Sequence, residues 1–167
     1  MTNEQVLHTS GSPVARTSAI AVGAILGAIA VLHAMWAAGS SWPFSDRESL
    51  SETVWGGPAS TLPSPAATMA VTGLLVVAIL LVTGQAGMWG NRMPRWVFAV
   101  GTGGVATVLL LRGLLFGIAA IGSEAVNRTW ELALYSPLCI VLGVLCAIVV
   151  HNGSRSPTTS SPSPNTD

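Results

Sequence analysis

Apolar and polar positions along this chain fall into long blocks and do not alternate. Four runs, residues 18–39, 66–84, 96–121 and 132–150, are almost wholly apolar, and the segments between them are polar. About 20 apolar residues in a helix cross the hydrocarbon of a bilayer, so each run predicts one transmembrane helix. The runs are too long and too continuous for strands. The first run exceeds the roughly 7–15 residues of a cleaved leader's apolar core and follows a single basic residue, Arg16, so it reads as a retained helix. Short connections at 85–95 and 122–130 make successive helices antiparallel neighbours. The expected fold class is all-α: an integral membrane four-helix up-down bundle over residues 18–151. Polar tails at 1–17 and 152–167 flank it. The second is rich in Ser, Thr and Pro, buries too little apolar area to offset its ordering entropy, and reads as disordered.

The longest connection, residues 40–65, has a pattern of its own. Ser45 with Glu48, and Ser49 with Glu52, have the spacing of a capping box. Leu50 and Val54 then share one face of the short helix that would follow. Trp42, Phe44 and Trp55 suit the headgroup region, where amphipathic rings collect. The segment reads either as a helix lying on the membrane surface or as a lid over a cavity.

Charge sets orientation. Only 8% of the residues are charged, and every basic one is arginine. Arg16, Arg92, Arg95 and Arg155 fall on one side of a four-span topology, with Arg47 and Arg128 on the other, which places both termini in the cytoplasm. A net charge of zero gives no nucleic-acid footprint. The partner the composition demands is the lipid bilayer.

Arg112 departs from the pattern, because it lies deep within the third apolar run. A guanidinium at such depth costs several kcal/mol unless it is paired, so it marks a polar site or a helix-locking ion pair. It lies roughly 13 Å below the outer end of its helix, and His33 about 10 Å below the outer end of the first. Glu131, Tyr135 and Ser136 begin the fourth helix on that side, and Thr68 and Thr72 lie in the outer half of the second. The four helices thus bring polar groups into one outer layer. His33, Trp36, Arg112, Glu131 and Tyr135 are the candidate ligand-binding residues, with Glu131 the natural partner of Arg112. His33 is placed to join the same network.

Other chemistries lack their residues. Cys139 and Cys146 are about 10 Å apart on one helix, too far to bridge. A bis-histidine haem would need His33 and His151, near opposite faces. Zinc has no second ligand at helical spacing, and no phosphate loop or nucleophile triad is present. No catalytic residue, metal or cofactor is therefore assigned. Gly23 with Gly27, and Gly113 with Gly117, are spaced for close helix packing, read as internal.

The run Leu32-His33-Ala34-Met35-Trp36-Ala37-Ala38-Gly39-Ser40-Ser41-Trp42-Pro43 resembles the first-helix signature of a bacterial four-helix membrane family, domain of unknown function 3995. Arg112-Gly113 and Tyr135-x-Pro137-Leu138 are similar to its later features. The resemblance covers residues 18–150 and implies a fold without implying an activity. Three functional readings follow from the residues. The first is a protein that binds a small anionic or hydrogen-bonding ligand, such as a lipid headgroup or a quinone-like molecule. The second is a subunit of a larger membrane complex, its polar residues forming a closed lock. An enzyme using His33 as acid or base is the least supported, since no nucleophile or metal accompanies it.

Overall fold

The computed structural model describes residues 12–90, 92–122 and 127–153. Every described element is helical. Four helices are long and apolar enough to cross a membrane: α1 (Pro13–Ala37), α3 (Pro65–Gln85), α4 (Arg95–Ile121) and α5 (Arg128–Gly153). The short α2 (Arg47–Val54) lies in the connection between α1 and α3, followed by a single 3-10 turn, Ala59–Thr61. Residues 1–11, 123–126 and 154–167, and with them most of both tails, lie outside the described residues.

α1 starts five residues ahead of its apolar run. Pro13, whose fixed φ suits a first helical turn, opens it, and Ala15 and Ala19 are fully buried. α3 is opened in the same way by Pro65, with the Ser64 hydroxyl accepting the Ala67 N–H at 3.2 Å.

α1 packs on α3 and α5, and α4 packs on the same two helices, so α1 and α4 occupy opposite corners of the bundle. The core is made of small and medium side chains: Ala19, Val22, Leu26, Ala78, Val82, Ala106, Leu142, Cys146 and Val149. Leu74, Val100, Val108 and Ile118 point outward and are about two thirds exposed. A belt of such residues on every span belongs in lipid, where no water penalises it. At the end carrying both termini, Arg95 donates to the Gly153 carbonyl at 3.2 Å and ties α4 to the end of α5.

The expected capping boxes give way to a single strong cap. Asp46 has extended backbone and accepts the Ser49 N–H at 2.8 Å. Glu48 instead reaches forward to the Ala59 N–H at 3.2 Å, and the buried Ser51 hydroxyl donates to the Pro58 carbonyl at 2.9 Å. An ionised carboxylate is a better acceptor for free N–H groups than the Ser45 hydroxyl, which explains the shift by one residue. These bonds fold the connection back on itself. Its tip meets the start of α5 at Gly56, where φ is +79° and a β-carbon would lie 2.6 Å from the Asn127 side chain, so only glycine fits.

Candidate functional site

The five candidate residues divide between two places. Arg112, on α4, donates through both terminal nitrogens to both carboxylate oxygens of Glu131 on α5, at 2.6 and 3.1 Å. The Ser136 hydroxyl adds a bond to the same carboxylate at 2.9 Å. On its free face the guanidinium lies 3.8 Å from the ring centre of Phe116, one turn further along α4. The Glu131 side chain is 7% exposed, whereas that of Arg112 remains 35% exposed. The anion is enclosed by protein and the cation shields it from outside.

Local sequence explains the geometry. Pro137 has no N–H to give the Ala133 carbonyl, and its ring would press on that turn of an α-helix. Residues Glu131–Tyr135 form a π turn instead, in which the Ser136 N–H bonds to the Glu131 carbonyl. Ser136 thereby stacks directly over Glu131, and side chain and backbone are joined at the same spacing. Across the seam, Gly113 and Gly117 leave room for this turn: a β-carbon on Gly113 would lie 2.8 Å from the Ser136 carbonyl oxygen. The glycine pair of α4 therefore serves internal packing, as its spacing suggests.

His33 and Trp36 lie elsewhere, because their helix is at the corner opposite α4. The Nδ1 of His33 is paired with the Ile29 carbonyl at 2.8 Å, and its ring lies 5.0 Å from that of Trp36. Trp36 donates its indole N–H to the Trp42 carbonyl at 2.8 Å. Both residues line a cavity of about 380 Å³ between α1, α3 and the α2 connection. Arg112, Glu131 and Tyr135 do not line it. Its walls are mostly apolar, from Leu50, Val54, Trp55, Leu62, Pro63 and Val71, with Ser40, Arg47 and Thr68 adding polar groups. Leu50 and Val54 do share a face, and that face is turned to the cavity. The connection thus forms one wall of the cavity. Thr72 makes only a bond within its own helix, to the Thr68 carbonyl.

Arg47 also lines the cavity, although in the sequence it bears only on orientation. The available signal was a lone arginine among the acids of the connection, one residue after the helix cap. Cys139 and Cys146 are free thiols, and no group of three metal-binding side chains occurs among the described residues.

The profile of the DUF3995 family, proteins of unknown function, matches residues 26–146, well over half of the chain. The chain belongs to the DUF3995 family. That stretch begins midway along α1 and ends within α5, so the DUF3995 region contains the cavity, α2 and the Arg112–Glu131 pair. No curated protein and no solved structure matches.

Proposed function

We propose that this DUF3995 chain is a small binding protein of the bacterial cytoplasmic membrane, with both termini cytoplasmic. Its site is the cavity beneath α2, and its ligand is a small amphiphile with a hydrogen-bonding or anionic head, of the lipid-headgroup or quinone-like kind. The observation that carries this reading is the cavity itself. Its volume of about 380 Å³ falls at the small end of ligand pockets, and its apolar walls converge on a few polar groups. In this reading Arg112 and Glu131 hold the scaffold, while His33 and Trp36 face the ligand. Native mass spectrometry of gently purified protein tests it. A reproducible added mass should vanish in Ala67→Trp, which fills the cavity from α3. An unliganded wild type, or an added mass that survives the filling, counts against the site.

A second reading has one observation in its favour. The Arg112–Glu131–Ser136 cluster is closed on itself, as expected of a subunit whose polar residues only fix its helices. The same spectra address it, since a co-purifying membrane protein with an empty cavity would support the subunit role.

A further inference from the structure

The charges and hydrogen bonds around the cavity are unevenly distributed. Every acid among the described residues is engaged or directed elsewhere. Asp46 caps α2, Glu48 holds the Ala59 N–H, and Glu131 is enclosed by Arg112. Glu52 is not among the lining residues. The one charged side chain that lines the cavity is Arg47, which is exposed and therefore stands at the rim.

The other polar lining groups are largely satisfied from within. Thr68 donates to the Ser64 carbonyl, the Ser40 oxygen accepts the Trp42 N–H, and the Trp36 indole is held by the Trp42 carbonyl. His33 donates its Nδ1–H to the Ile29 carbonyl, which leaves Nε2 as an acceptor. Arg47 has no hydrogen bond or ion pair with any described residue. The lining therefore offers an incoming anionic head one permanent cation and a hydroxyl proton, with the imidazole nitrogen as an acceptor beside them and no carboxylate.

Resting on the binding reading above, we propose that the cavity selects an anionic head, a carboxylate or a phosphate on a single short apolar chain, and that Arg47 is the residue that reads its charge. A guanidinium at the rim meets the anion while both keep partial contact with water, which limits the desolvation penalty that a fully buried pair would carry. Trp36, Trp55 and Val71 then cover the chain. A two-chain phospholipid is too large for a cavity of this volume, so the ligand is either a free single-chain acid or a bilayer lipid that inserts one end.

The test uses the full chain in nanodiscs of zwitterionic lipid, with quenching of tryptophan fluorescence by 12-bromododecanoate and by 12-bromododecanol. Both probes share a chain and differ in head charge. The expected result is saturable quenching by the acid, at least several-fold tighter than by the alcohol. Arg47→Gln should weaken the acid about tenfold and leave the alcohol unchanged. Equal affinities, or an Arg47→Gln variant that binds the acid as wild type does, would overturn the charge selectivity while leaving the binding site in place. If Ala67→Trp quenches as wild type does with both probes, the binding reading itself fails. Dodecyl phosphate and phosphatidylglycerol serve as competitors. Displacement by the first alone supports a free single-chain acid, and displacement by both supports a bilayer lipid. Displacement by neither overturns the phosphate head and leaves the carboxylate.

Discussion

Arg112 and Glu131 form a two-pronged ion pair between neighbouring antiparallel helices, with one prong at 2.6 Å and the other at 3.1 Å. Removing either partner strands a charge away from water, whereas removing both leaves an apolar seam. Glu131→Gln and Arg112→Leu should each lower stability by about 3 kcal/mol. The double variant Arg112→Leu/Glu131→Leu should recover most of that loss. Thermal unfolding of the four proteins in one detergent checks this. Additive losses in the double variant would mean that the two side chains do not depend on each other.

The seam beside this pair depends on close approach. A β-carbon on Gly113 would meet backbone as well as the Ile140 side chain, so the helices must separate to admit it. Gly113→Val should destabilise by about 1–3 kcal/mol, the usual range for overpacking. Gly103→Val places its side chain where nothing lies within 4 Å and should stay near wild type. Equal losses in the two variants would count against the packing described.

Asp46 links the cover of the cavity to pH. The Ser49 N–H, and then the Ser49 hydroxyl, hold its carboxyl below the ordinary range. A lowered value means the cap is fully present above the usual carboxylate range and is lost as pH falls through the lowered one. Amide protection in α2, measured by mass spectrometry and taken relative to the intrinsic exchange rate at each pH, should therefore fall on acidification below about pH 4. Asp46→Asn keeps a capping oxygen without a titrating group, and should remove that dependence. A persistent acid response in this variant would place its origin elsewhere.

The bond from the Trp36 indole to the Trp42 carbonyl anchors the start of the connection to α1. Trp36→Phe keeps a ring in the wall and deletes only the donor. Faster exchange over residues 40–46 is expected, with a loss of about 1 kcal/mol, typical of one hydrogen bond. Unchanged protection would show that the segment is held by its other contacts alone.

Orientation is open to direct measurement. With both termini cytoplasmic, a cysteine introduced at Ser60 in the connection should react with an impermeant maleimide in intact cells. One at Met88, between α3 and α4, should react only after lysis. The opposite pattern would invert the topology while leaving the bundle as it is.

The spans were legible because length and apolarity alone decide them. Helix ends were less so: Pro13 and Pro65 begin helices ahead of the apolar runs, through a backbone preference that hydrophobicity does not register. Arg112 and Glu131 could be paired in advance because an unpaired guanidinium is untenable at that depth. His33 was assigned to the same layer by depth alone. Depth fixes height along the bundle but not the corner a helix occupies, and α1 and α4 turn out to be diagonal. Arg47 was hidden for a related reason, since a loop side chain finds its neighbours only once the loop is folded.

The π turn of α5 holds one residue more than the regular turn it replaces. Residues 131 and 136 stand in line because five positions separate them around a widened turn. Loss of any one residue between them would restore a regular turn with its flanks in register, and the two side chains would still share a face at four-residue spacing. Elsewhere in a span a one-residue deletion would rotate everything beyond it by about 100°. Here the surplus residue sits in the widened turn, so its loss would keep the pair aligned and instead press Pro137 on the turn before it.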